Sequence, residues 1–308
     1  MGSTILYLLV NLMINYMKRI EKNNIKDAGI DVISRIKKIK HIALDLDGTI
    51  YNGSTLFPFT IPFLTKMNEL GLNYSFLTNN PTKSATDYVS HFSEMGIRSK
   101  ESDFYTSSQA TIDFLHKYHP NYKKLFILGT PSMIKEFENA GFVSTTDNEN
   151  DIPDAVLVSF DKTLVYSRLC RAAWWISNNL PYFATNPDKV CPTDEKIVLV
   201  DCGSICEALW YATNRRPDLV VGKPDPKMLK GIMDLYNLKE DEVVMIGDRV
   251  YTDIAMAYNA HALGVLVLSG ETTLEIGSTA SPSPDLILDD LADFQALVEL
   301  AHQKEYNI

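Results

Sequence analysis

Four short segments carry side chains whose types and spacing could do chemistry together. They are Asp45-Leu-Asp47-Gly48-Thr49, Thr78-Asn79-Asn80-Pro81, Gly222-Lys223-Pro224 and Gly247-Asp248-Arg249, with Asp253 five residues beyond Asp248. Two carboxylates two residues apart can supply a nucleophile and a proton donor. A hydroxyl and a lysine can hold developing negative charge, and carboxylate oxygens are the hard ligands Mg²⁺ prefers. Such a set suits transfer of an oxyanionic group such as phosphoryl. At ordinary residue usage of about 5–7%, D-x-D-G-T arises by chance roughly once in 10⁵ windows, against about 300 windows in this chain. Three further segments in order make coincidence a poor explanation.

These segments need rigid elements to aim them. His41–Leu46 is a short apolar run closed by Asp and Gly, the grammar of a buried strand meeting a turn. The same grammar recurs at Leu72–Leu77, Leu125–Leu128, Ala155–Val158, Tyr182–Ala184, Leu219–Val221, Val243–Ile246, Gly264–Leu268 and Leu286–Leu288. Helix-period segments intervene at Ile25–Ile39, Ser84–Met95, Tyr166–Asn179 and Pro226–Tyr236. Strands alternating with helices predict βαβ units and a parallel sheet. All four chemical segments then follow strands, where open α/β sheets bind their ligands. The Ser278–Pro284 patch reads as a loop.

At 308 residues the chain is long enough for a core domain plus a second one. Its composition, 45% hydrophobic and 22% charged, is that of a globular protein. Acidic residues outnumber basic ones 39 to 29, a net charge of −10, which disfavours nucleic acid as a partner. The four cysteines are too few for a disulfide framework, so a reducing, cytoplasmic setting is expected. Apolar Ile5–Met17 falls short of the ~20 residues that span a bilayer and lacks signal-peptide flanks. It reads as a helix lying on the protein or an extension, with no membrane partner expected.

Taken together, these segments, with Ala184-Thr185-Asn186-Pro187-Asp188, Val221-Gly222-Lys223-Pro224, Gly247–Asp253 and Val267–Thr272, resemble the haloacid dehalogenase superfamily phosphatases. The wording is that of the NagD-like subgroup, whose large α/β cap lies between the second and third motifs. The resemblance runs from about Ile25 to Leu300. It implies a Rossmann-like core at about 25–121 and 217–308, an α/β cap at about 122–216 and an extension at 1–24. It further implies Mg²⁺-dependent hydrolysis of a small phosphate monoester of the sugar phosphate, nucleotide or pyridoxal phosphate class. Phosphoryl transfer to another acceptor, as in a mutase, would use the same aspartate pair. A binding module that keeps the fold without turnover is the alternative from another class.

In that reading Asp45 attacks phosphorus and Asp47 protonates the leaving oxygen, then activates water. Period-two spacing would place both on one strand face. Asp45, the Asp47 carbonyl and Asp248 would hold Mg²⁺. Thr78, Asn79 and Lys223 would take phosphoryl oxygens, and Gly48 would let the backbone come close. Asp253 would orient metal waters or Lys223. In the cap, Asp188, Lys189, Asp194 and Glu195 are the candidates to meet the leaving group, and the cap is the candidate surface for a homo-oligomer.

Ordinary readings compete at each position. Asp45 and Asp47 could form a turn, Thr78-Asn79 could cap the following helix, and Lys223 and Asp248 could be solvated charges. Agreement among the four segments outweighs these for all but Asp253, for which a plain ion pair is nearly as good. Cys191, Cys202 and Cys206 lack a fourth ligand at zinc spacing and read as buried apolar side chains. Of Trp174 and Trp175, one ring should enter the core.

Overall fold

The computed structural model describes residues 28–191 and 197–302. The apolar Ile5–Met17 stretch lies outside them. In chain order the strands are β1 (His41–Leu44), β2 (Tyr51–Asn52), β3 (Thr55–Leu56), β4 (Asn73–Thr78), β5 (Phe104–Thr106), β6 (Lys124–Leu128), β7 (Val143–Ser144) and β8 (Ala155–Val158). They continue as β9 (Tyr182–Ala184), β10 (Val190–Cys191), β11 (Leu199–Val200), β12 (Leu219–Val220), β13 (Val243–Gly247), β14 (Leu263–Val267) and β15 (Leu286–Leu288). By packing, the chain forms two compact units, Met1–Ser75 with Tyr236–Ile308, and Phe76–Leu235.

The first unit is a Rossmann-like parallel sheet. β13 pairs with β1 on one side and β14 on the other, and β14 pairs with β15, all parallel. β4 enters beside β1, its Asn73 amide donating to the Lys40 carbonyl at 3.2 Å. β1, β13 and β14 are buried at every position, so they read as unbroken apolar runs instead of alternating ones. Helices Thr60–Glu69 and Leu291–His302 pack together, with the Phe63 and Phe294 rings 6.5 Å apart.

His41 opens β1 and is 1% exposed, its Nε2 sharing a 2.9 Å hydrogen bond with Ser75 Oγ. Burial lowers its pKa from 6.5 to about 4. Between those values the unfolded chain binds a proton that the folded chain refuses, so stability falls as pH drops through that window and is full above it. His41→Gln is therefore expected to shrink the stability difference between pH 7 and pH 5 by about 2 kcal/mol, read from urea unfolding at both pH values.

The second unit contains the end of β4, paired parallel with β5, and a separate five-stranded parallel sheet in the order β12-β9-β8-β6-β7. Period-two alternation divides that sheet's side chains between two cores. Phe126, Leu128, Val156 and Val158 meet Ala172, Trp175, Ile205 and Leu209 from helices Tyr166–Ser177 and Cys202–Thr213. Leu125, Ile127, Ala155 and Leu157 meet Ile112, Leu115, Met133 and Phe137 from helices Ser107–Tyr118 and Pro131–Asn139. Trp175 enters the core while Trp174 stays 43% exposed beneath the Arg171 guanidinium. Cys202 and Cys206 are buried in the first of these cores, so they pack as apolar groups. Among the described residues no helix is long and apolar enough to cross a membrane.

Candidate active site

Each unit gathers one set of the sequence-predicted residues. In the first, the register Leu44↔Ile246 sets the carboxyl ends of β1 and β13 side by side, and the ladder continues through Asp45 N–H to Ile246 carbonyl at 2.9 Å. Asp45 and Asp248 thereby leave neighbouring strand ends. Asp253 joins them by a wider route. The π-helical turn Val250–Ile254 brings the Asp253 and Ile254 amides both back to the Arg249 carbonyl, at 3.0 and 3.3 Å. Asp253 Oδ2 also accepts from the Arg249 amide at 3.1 Å.

The result is a cluster in which one carboxylate oxygen each from Asp45, Asp248 and Asp253 lies within 4.8 Å of the others. All three side chains are buried, so their charges repel in a medium that screens poorly, and a divalent cation is the natural counter-charge. Three oxygen donors without thiolate or imidazole suit a hard ion such as Mg²⁺. The glycines nearby keep that space clear. A Cβ on Gly48, which has φ +88°, or on Gly270 would collide with the Asp248 carboxylate, and one on Gly247 with Asp253. These residues fit a metal.

Asp47 follows Asp45 beyond the end of the regular strand. β1 ends at Leu44, and the chain turns so that Gly48 N–H reaches the Tyr51 carbonyl at 2.7 Å. Asp47 stands exposed on that turn, whereas Asp45 is 8% exposed. Ser269 Oγ secures the turn by donating to the Gly48 carbonyl at 2.6 Å.

Sequence reasoning passed over three residues here. Glu271 N–H donates to Asp248 Oδ2 at 2.6 Å, its carboxylate accepts from the Tyr251 hydroxyl at 3.0 and 3.2 Å, and Arg249 Nε lies 2.9 Å from Glu271 Oε2. Burial works against the Arg249 charge, but Tyr251, Asp45, Asp248 and Glu271 outweigh it and hold its pKa above the usual arginine value. These residues sit in the segments that carry the family resemblance, yet nothing in their spacing marks them.

In the second unit Asn79 is a hub. Its Oδ1 accepts from the Lys223 amide at 2.8 Å, while its Nδ2 donates to the Lys223 carbonyl at 3.0 Å and to Asp188 Oδ2 at 2.9 Å. Its carbonyl accepts from Ser107 Oγ. Asn186 extends the network, donating to Asp188 Oδ2 at 3.1 Å and to Asp201 Oδ1 at 3.0 Å. Burial pushes the Asp201 carboxyl up to about 6. Gly222 is required, because a Cβ there would sit 2.5 Å from the Thr185 carbonyl and 2.7 Å from Asn79 Oδ1. Thr78 is buried and its Oγ1 accepts from the Asn80 amide at 3.1 Å, so its hydroxyl hydrogen remains to donate. Asp188 is thus tied to the Lys223 segment, while Lys189 is exposed. Asp194 and Glu195 lie outside the described residues.

Comparison with known proteins identifies the family. Residues 42–143 match a family model described as haloacid dehalogenase-like hydrolase, and residues 220–294 match one described as HAD-hydrolase-like. The ribonucleotide monophosphatase NagD of Escherichia coli is 30% identical over 259 residues, which cover 84% of this chain and 99% of that one. The crystal structure of a 4-nitrophenylphosphatase from Thermotoga maritima superposes with a TM-score of 0.80 at 35% identity, covering 85% of this chain and 98% of that one. A glycerol phosphate phosphatase from Mycobacterium tuberculosis, solved in complex with magnesium, gives 0.76 at 27% identity, covering 84% and 77%. The chain belongs to the haloacid dehalogenase-like hydrolases, among the NagD-like phosphatases.

Proposed function

We propose that this protein is a Mg²⁺-dependent phosphatase that hydrolyses a small phosphate monoester through an aspartyl-phosphate on Asp45. The carrying observation is the buried Asp45–Asp248–Asp253 cluster at the ends of adjacent strands in a chain of this family. An Asp45 carboxylate oxygen attacks phosphorus in line, and the ester oxygen departs with a proton from Asp47. Asp47 then takes a proton from water, which displaces Asp45 and yields inorganic phosphate. The burial of Asp45 and the exposure of Asp47 suit these roles: the nucleophile is shielded, and the acid stands where a leaving group and water can reach it. Asp45, the Asp47 carbonyl and Asp248 would hold Mg²⁺, which when bound offsets the charge of the nucleophile and of the phosphoryl oxygens.

Thr78 Oγ1, the Asn79 amide and Lys223 Nζ take phosphoryl oxygens in this scheme. The Asn79 side chain supports it by fastening the Lys223 backbone, and Asp253 orients the metal's surroundings. The core at about 25–121 and 217–308 performs the chemistry. The cap at about 122–216 selects among sugar phosphates, nucleotides and pyridoxal phosphate, with Asp188, Lys189, Asp194 and Glu195 as its candidate contacts. A cytoplasmic enzyme, self-associating through the cap, completes the reading.

Incubation with 4-nitrophenyl phosphate and Mg²⁺ should release nitrophenolate and inorganic phosphate in equal amounts, and EDTA should stop both. Nitrophenolate without matching phosphate would indicate transfer to another acceptor. Turnover untouched by EDTA would overturn the metal assignment.

A further inference from the structure

Resting on the phosphatase reading, we propose that Arg249 is the recognition point for a second oxyanion, a carboxylate or a further phosphate, carried by the substrate's leaving group. A guanidinium has five N–H donors in a planar fork. Glu271 engages the Nε side at 2.9 Å, as an ion pair without the alignment of a hydrogen bond. The four Nη hydrogens meet no acceptor among the described residues. Glu271 is itself occupied by the Tyr251 hydroxyl, which binds both of its carboxylate oxygens. The fork is therefore held in place from behind and left unspent in front.

Its depth assigns the role. Asp248 and Asp45 are 2% and 8% exposed, whereas the side chains of Arg249 and Glu271 are 26% and 49% exposed and Tyr251 is 56% exposed. Arg249 is thus more open to solvent than the buried carboxylates of the first unit's cluster, as a group that meets an ester's leaving group must be. Charge gives the reason for a cation there. Asp45, Asp47, Asp248 and Asp253 would repel an anionic leaving group, as would a chain of net charge −10. A fixed guanidinium whose free fork matches the two oxygens of a carboxylate or phosphate reverses that local penalty.

The test uses three esters on one two-carbon skeleton: ethylene glycol monophosphate, 2-phosphoglycolate and ethylene glycol bisphosphate. The wild-type protein should favour one or both of the esters that carry a second oxyanion over the glycol ester by about tenfold or more in kcat/KM. Arg249→Met should erase that preference, chiefly through KM, by lowering kcat/KM for the esters with a second oxyanion about tenfold more than for the glycol ester. Arg249→Lys should keep part of it, because a point charge replaces the fork. Glu271→Gln should weaken the preference while keeping the backbone amide on Asp248. The carboxylate and bisphosphate arms separate the two oxyanions. Calorimetric binding of the same esters in an Asp45→Asn background should show the same pattern without turnover. No wild-type preference, or equal losses on all three esters in Arg249→Met, would overturn the assignment. Failure of the wild-type protein to hydrolyse any ester would count against the phosphatase reading alone, since the calorimetric arm still decides Arg249.

Discussion

Asp45→Asn is expected to bring hydrolysis of 4-nitrophenyl phosphate to background, a loss of at least about 10³-fold, or about 4 kcal/mol of barrier. The substitution exchanges one carboxylate oxygen for an amide nitrogen of nearly the same size. The amide is too poor a nucleophile to form the acyl phosphate, and one of three charges leaves the Asp45–Asp248–Asp253 cluster. Folding should survive, because fewer like charges are then buried together. A melting temperature at or above the wild-type value, measured with the activity, shows that the loss is chemical. Turnover retained near the wild-type level would sink the covalent mechanism.

The second large effect depends on the substrate. General acid catalysis is worth roughly 10²–10⁴-fold, and most of it is needed when the leaving group is basic. Nitrophenolate departs readily without a proton, whereas the alkoxide of a sugar or glycerol does not. Asp47→Asn should therefore lower kcat/KM for glycerol phosphate by about 10²-fold more than for 4-nitrophenyl phosphate. Asp47 stands exposed on its turn, so the substitution should scarcely affect stability. Equal losses on both esters would move Asp47 from leaving-group protonation to the water step or the metal site.

Much of the fold was legible because burial leaves a simple mark. The strands at Ala155–Val158, Tyr182–Ala184 and Leu286–Leu288 coincide with their apolar runs, and Ser84 caps the helix Ala85–Glu94 where the pattern begins. β5, β7 and the β10–β11 pair left no such mark. They are two or three residues long, and β7, β10 and β11 are largely open to solvent, so pairing with a neighbour makes them strands. Helix Ser107–Tyr118 shows the same dependence: Ile112 and Leu115 take their place only against Leu125 and Ile127 of β6.

The chemistry divides along the same line. The sequence by itself singled out the candidate reacting groups, because aspartate pairs, a strand-end threonine and a glycine-flanked lysine are few and their order along the chain is local information. Only the tertiary structure decided their environment. It drew Asp253 into the cluster through a π-helical turn, left Asp47 exposed on the turn beyond β1, and made Asn79 a clasp for Lys223, 144 residues on. It also set Glu271 against Arg249 and Asp248. Burial, charge neutralisation and hydrogen-bond completion depend on which atoms lie within a few ångströms, and a spacing along the chain does not encode that distance when the partners come from different strands.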